Sequence, residues 1–296
     1  MSRFLDALHS GRVLLMDGAM GTELLRAGLA ENDCGEAWNV TNSERVRVVH
    51  QAYADAGAEV LLTNTFQANR PALWRRSEKP DDPKPYIEAA QKIIAALTSA
   101  KRFALGSIGP EVTPPSTTEF PFLYFLSEIV GAFPRHSPIS GLILETYSTP
   151  RVRFVVKKTL NSGFPALLSM TYQRNAKGKI VTLSGHKPEW FAQRAKHWGV
   201  AALGVNCGRD IDMDDIIEIV RRYRAVTDLP LFARPNAGTP TKKGKRWIYP
   251  HTPEAMAARL PVLLEAGVSM VGGCCGTTPE HVAAFRPIID AWNKKR

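Results

Sequence analysis

The sequence predicts a single (β/α)8 barrel spanning residues 1–296, and three observations carry that reading. Eight short β-branched and aliphatic runs recur along the chain, the number that closes a parallel barrel. Segments with helical starts and stops alternate with them. The chemically unusual residues gather at the carboxyl ends of the runs, the face on which such barrels build their sites.

The first run is VLLMDG (13–18), followed by AEVLLTNTF (58–66), FALGSIGP (103–110) and GLILETY (141–147). ALLSMTY (166–172), AALGVNC (201–207), LPLFARPNAG (229–238) and VSMVGGCCG (268–276) complete the set. Between them, SERVRVVHQAYADAG opens a helix at Ser43, and Pro188 and Pro253 stand at the first turns of two more. The last helix starts with Thr278 as N-cap and Pro279 at the first helical position. Gly57, Gly199 and Gly267 each follow a helix and precede a strand, as left-handed C-caps do. The least regular stretch is 111–140, rich in Pro and Thr, with a long loop before a weak helix over 122–132. No stretch reads as an interdomain linker.

Of the 296 residues, 44% are hydrophobic and 22% charged, the balance of a globular protein with an ample core. The formal charge of +10 favours acidic partners. Its carriers are scattered in short groups, at Arg221, Arg222 and Arg224, at 242–246 and at 294–296, with no nucleic-acid motif or aromatic interleaving beside them. Solvated faces, and no nucleic acid, are therefore expected. The amino-terminal apolar run is too short for a membrane span and wrongly flanked for a secretory signal, so a cytoplasmic location and no membrane are expected.

Four cysteines in so long a chain are too sparse for a disulfide framework, which leaves metal ligation or simple burial. Cys207 ends the sixth run and Cys274 and Cys275 end the eighth, so a barrel brings three thiols to one mouth. Three sulfurs suit a tetrahedral zinc ion whose fourth position stays open, the pattern of a catalytic site. Cys34 lies in a polar loop with nothing converging on it and reads as structural.

The motifs DGAMGTEL (17–24), TNTF (63–66), LET (144–146), GVNCG (204–208), PNAG (235–238) and GGCCGTTPEH (272–281) together resemble the homocysteine S-methyltransferase family, in particular the homocysteine-binding module of cobalamin-dependent methionine synthase. The resemblance spans nearly the whole chain. It implies a (β/α)8 barrel whose zinc ligands are Cys207, Cys274 and Cys275, with Asn236 as fourth ligand before substrate arrives. It further implies that the backbone around Gly18 and Ala19 holds the homocysteine carboxylate and that Glu145 receives its ammonium group, a buried carboxylate being costly without a cation. Asp17 and Asn206 are expected beside the substrate, as contacts or as loop staples. The catalytic group is then the substrate's own zinc-activated thiol, which takes a methyl group and becomes methionine.

Where methionine synthases of the family usually read GDIGP, this chain has GSIGPEV with Ser107, which points to a change on the donor side of the pocket. After Cys207 it reads GRDID in place of a short Gly-Pro turn, a change at the rim. Within 296 residues there is room for neither a second, folate-binding barrel nor a cobalamin-binding segment. The methyl group is expected either from a small donor such as S-methylmethionine or betaine, or from a separate corrinoid protein. In the second case cobalamin enters only through that partner, and the basic segment TKKGKRW (241–247), in the loop after the seventh run, is placed to steer it. A zinc- or thiol-binding module without catalysis, a closed structural zinc site and a methyltransferase acting on another small thiol are the competing readings.

Overall fold

Eight parallel strands, Leu14–Leu15, Val60–Leu62, Phe103–Ile108, Gly141–Tyr147, Ala166–Arg174, Ala202–Arg209, Leu231–Arg234 and Met270–Val271, alternate with helices. They are called the first to eighth strands below. The computed structural model describes residues 2–76, 82–110, 119–134, 136–244 and 246–296. Hydrogen bonding runs from the first strand through the eighth, seventh, sixth, fifth, fourth and third to the second. A parallel bridge between Met16 and Val60 returns the second strand to the first, so the ring closes as a (β/α)8 barrel.

The strands divide their apolar side chains between two layers, as the period of two requires. Leu14, Met16, Val60, Leu62, Leu105, Ile143, Leu167 and Phe232 point inward and fill the barrel. The short helix Arg3–Leu8, which the aliphatic runs did not foretell, sends Phe4 and Leu8 into the same cluster. Phe4 meets Phe103 edge to face with centroids 5.5 Å apart, closing the amino-terminal end with apolar contact. The alternate residues pack outward against the helices in a second, larger core.

The expected helices begin at Ser43, Pro188, Pro253 and Pro279. Gly57, Gly199 and Gly267 all have positive φ, as left-handed C-caps require. The helix expected over 122–132 runs Glu119–Gly131, while 111–118 of the Pro- and Thr-rich loop lie outside the described residues. Two short additions decorate the mouth: Ile180–Val181 pairs with the end of the fifth strand, and Thr241–Lys243 forms a hairpin with Arg246–Ile248.

The carboxyl ends of the strands are where regular pairing fails. Register shifts fall between Leu144 and Tyr147 and between Met170 and Tyr172. Thr146 and Cys207 take positive φ of 64° and 39°, uncommon for residues with a Cβ. The eighth strand stops at Val271, so the glycine-flanked cysteine pair leaves the ladder. The sheet is regular where it carries the core and irregular where it aims side chains inward across the mouth.

Candidate metal centre and its carboxylate pocket

The three sulfurs of Cys207, Cys274 and Cys275 lie within 4.8 Å of one another and form a group able to hold a metal ion. Cys207 Sγ is 3.0 Å from Cys274 Sγ and 3.4 Å from Cys275 Sγ, and all three thiols are free. Cys207 also donates to Asn236 Oδ1 at 3.0 Å, so Asn236 stands at the cluster as expected. The backbone of the pair is fixed by Cys274 N–H to Pro235 O at 2.9 Å and Ala237 N–H to Cys275 O at 3.0 Å. Hydrogen bonds from Cys207 and Cys275 hold the Cys274 thiol well below its ordinary range. The Cys207 thiol is pushed well up, chiefly by its contacts with Cys274 and Cys275.

Tyr249 stands over this cluster. A Cβ added to Gly276 would fall 2.1 Å from its ring, so the glycine is the seat of that ring. Burial, and then the charge of Cys275, Cys207 and Cys274, pushes its hydroxyl's pKa up.

Beside the sulfurs, Arg234 joins Asp17 and Glu145. Its Nη2 donates to Asp17 Oδ1 at 2.9 Å and to Gly18 O at 3.0 Å, and its Nη1 donates to Glu145 Oε1. Asp17 Oδ2 accepts from Leu62 N–H at 2.7 Å, and Glu145 Oε2 accepts from Ser107 Oγ at 2.7 Å. All three charged side chains are buried. Burial pushes the Asp17 carboxyl up to about 7 against the pull of Arg234, and burial raises Glu145 likewise.

The premise that Glu145 lacks a protein cation is corrected here, because Arg234 supplies one. Two carboxylates against one guanidinium still leave one negative charge over when all three are ionised. Ser107, where the chain departs from the family's usual motif, donates to Glu145. The sequence reading missed Arg234. The signal lay in FARPNAG, a lone arginine at a strand end on the same mouth as two strand-end acids.

Gly18 is held by its surroundings: a Cβ there would come within 2.7 Å of the Tyr53 ring and 2.8 Å of Thr277 Oγ1. The Ala19 amide donates to Thr277 Oγ1 at 3.2 Å and its carbonyl accepts from Tyr53 Oη at 2.9 Å. Asn206 is a staple. Its Oδ1 accepts from Ser169 Oγ at 2.5 Å and Thr146 N–H at 3.1 Å, and its Nδ2 donates to Thr146 Oγ1 at 2.8 Å and Cys274 Sγ at 3.7 Å. Every polar function of that amide is used, so it braces the cluster and has no group left to offer a substrate. Asn64 likewise ties Gly35 O at 2.8 Å to Asn39 Oδ1 at 2.9 Å. Cys34 stays apart from the cluster and donates to Glu36 Oε2 at 3.5 Å. In the basic segment, Lys242 is 2.9 Å from Glu31 and its ammonium lies over the Trp247 ring. Lys245 lies outside the described residues. The rim after Cys207 carries positive φ at Gly208 and Asp210.

Comparison with known proteins agrees with this geometry. The profile of the family described as homocysteine S-methyltransferase matches residues 14–289. Methionine synthase of Mycobacterium leprae (strain TN) is 28% identical over 294 residues, covering 92% of this chain and 24% of that protein. Methionine synthase of Mycobacterium tuberculosis (strain ATCC 25618 / H37Rv) is 29% identical over 300 residues, covering 94% and 24%. The chain thus spans about a quarter of the length of these curated relatives. Among solved structures, the metallated form of the homocysteine methyltransferase MmuM from Escherichia coli superposes with a TM-score of 0.76 at 25% identity, over 97% of this chain and 100% of that one. The match over nearly the whole barrel, with the cysteine cluster at its mouth, shows that the chain belongs to the homocysteine S-methyltransferase family.

Proposed function

We propose that this barrel methylates the thiol of homocysteine to give methionine, with a zinc ion held by Cys207, Cys274 and Cys275. The observation that carries the reading is the meeting of three sulfurs with a buried, net-acidic Asp17–Arg234–Glu145 array at one barrel mouth. The donor set fits zinc. Bonds of about 2.3 Å in a tetrahedron separate sulfurs by roughly 3.8 Å, and those here are 3.0 and 3.4 Å from Cys207 and need only spread apart slightly.

A zinc ion in that position supplies Lewis acidity that lowers the pKa of an incoming thiol. The chain's own residues do the rest. Asn236 Oδ1, which accepts from Cys207, would help hold the ion as a weak neutral ligand and would yield to an incoming sulfur. The excess negative charge of Asp17 and Glu145 receives the ammonium group, and the backbone at Gly18 and Ala19 meets the carboxylate. Because the Ala19 amide is spent on Thr277, the carboxylate falls to Gly18 N–H and to the open turn after Ala19. The new sulfur–carbon bond then forms as the donor's bond to the methyl carbon breaks, with the departing atom keeping the electron pair. The donor is either a small compound such as S-methylmethionine or betaine, or a separate corrinoid protein. X-ray absorption at zinc tests the core of the reading: homocysteine should replace one light-atom neighbour by a fourth sulfur. An unchanged zinc environment would mean a closed structural site.

A further inference from the structure

Stability does not account for Arg234. It is 4% exposed and holds two carboxylates, and a buried ionic group of that kind adds little over apolar side chains of similar volume. Its Nε–H is also buried and, among the described residues, has no hydrogen-bond partner. That leaves an uncompensated desolvation that an apolar side chain would avoid. A guanidinium kept under those conditions has a task in the site.

The task is readable from what its two arms hold. Nη1 donates to Glu145 on the fourth strand and Nη2 to Asp17 beyond the end of the first, so one planar group spans the mouth and fixes a carboxylate on each arm. Each carboxylate is tied by a second donor, Ser107 Oγ on Glu145 Oε2 and Leu62 N–H on Asp17 Oδ2. Burial pushes both carboxyls up, and Arg234 is the largest pull against it at each. Without a cation between them, two carboxylates sharing one buried site cannot both stay ionised.

The same strand end ties this seat to the sulfurs. Arg234 closes the seventh strand in register with Asn206, the brace of the cluster. After it, Pro235 O accepts from Cys274 N–H, Asn236 Oδ1 accepts from Cys207, and Ala237 N–H donates to Cys275 O. Four consecutive residues thus link the carboxylates to all three cysteines.

We propose that Arg234 is a positioning residue for the methyl acceptor. Acting through Asp17 and Glu145, it presents a rigid anionic seat at a set distance from the sulfurs, and so selects a thiol carrying an ammonium group over one without it. The inference rests on the reading of the site as a homocysteine-methylating centre. A lysine is no substitute, because an ammonium is a point charge on a flexible stem whereas the guanidinium fork addresses both carboxylates at once.

The test measures, by calorimetry on the zinc-loaded full chain, the affinities of homocysteine and of γ-mercaptobutyrate, which is homocysteine without its amino group. The parent should prefer homocysteine by at least about tenfold, the worth of one charge-assisted hydrogen bond. Arg234→Lys should weaken homocysteine roughly tenfold and leave γ-mercaptobutyrate within about twofold, so that the preference collapses while zinc content holds. Arg234→Gln should lose the preference more completely, and if it fails to fold, Arg234→Lys and the parent's own preference decide. A preference fully kept by Arg234→Lys would overturn the proposal, as would a matching loss for both thiols, which is the mark of a merely structural arginine. Equal affinities in the parent would overturn the seat while leaving homocysteine methylation standing. A zinc environment that homocysteine does not change would overturn the functional reading, and this one with it.

Discussion

Arg234 decides the electrostatics of the mouth residue by residue. It is buried with two carboxylates, so its removal leaves Asp17 and Glu145 facing each other without a cation. Breaking such a buried group by deleting one partner costs about 3–5 kcal/mol, far more than the group adds relative to apolar packing. Arg234→Met is therefore expected to lower the urea unfolding free energy by several kcal/mol, and a loss below about 1 kcal/mol would mean the three charges are not held together in a dry site. Glu145→Gln is milder, because Arg234 keeps Asp17 and Ser107 keeps an acceptor. It removes the excess negative charge, so homocysteine affinity should fall roughly tenfold to a hundredfold, the worth of about 1.5–3 kcal/mol for a charge-assisted hydrogen bond. Zinc content should not change, and a thiol lacking the amino group should bind parent and variant alike. Equal affinity for homocysteine itself would return Glu145 to a purely structural role. The carboxylates and cysteines were legible in the sequence because they end strands, and strand ends share one face. Arg234 was equally visible, but pairing among buried charges becomes apparent only when the count of two acids to one base at that face is taken.

At the level of elements, the aliphatic runs were legible because parallel strands covered on both faces are apolar throughout, and the helices because Pro, Thr and Gly mark their ends. The floor helix Arg3–Leu8 and the two mouth hairpins escaped for opposite reasons. The helix is too short for a period to register, and the hairpin strands Ile180–Val181, Thr241–Lys243 and Arg246–Ile248 are only two or three residues long, with a pairing that depends on the barrel beneath. The helix Ser43–Asp55 carries a feature that no pattern announces. It buries His50 completely with neither ring nitrogen hydrogen-bonded, and burial holds its pKa down at about 4 against the ordinary 6.5. A histidine whose folded pKa is depressed resists in the fold a proton that the unfolded chain accepts. Stability from this source is intact above 6.5, declines as pH falls from 6.5 toward about 4, and is constant below that. The window amounts to about 3 kcal/mol. His50→Met cannot titrate, so the variant should lose less stability than the parent between about pH 7.5 and pH 4.5, compared by urea midpoints. Parallel pH profiles would show that His50 is not held neutral.

Across the whole molecule, metal binding and folding are coupled through the barrel. Cys207 and the Cys274–Cys275 pair come from strands separated by an intervening one, and their sulfurs meet only when those three strands are paired in the sheet. The unfolded chain offers no such cluster, so an ion that binds the fold stabilises it by mass action, by about 2.7 kcal/mol when free metal exceeds the dissociation constant a hundredfold. For a domain of this size that corresponds to a rise of roughly 4 °C in the midpoint of thermal unfolding. The cluster itself stands outside both apolar cores, with the Cys274–Cys275 pair beyond the end of the eighth strand and Cys207 at a register irregularity near the end of the sixth. Replacing one sulfur should thus cost little in the metal-free state. Cys207→Ala, Cys274→Ala and Cys275→Ala are each expected to unfold near the temperature of the chelator-treated parent, to hold little zinc, and to show no rise on adding it. Oxidation of the parent should act the same way, because a disulfide sulfur no longer ligates as thiolate. A variant that keeps the parent's zinc-dependent rise would remove that cysteine from the ligand set. If all three keep it, the ion that stabilises the barrel is bound elsewhere, and the mouth cluster has to be read as three packed thiols.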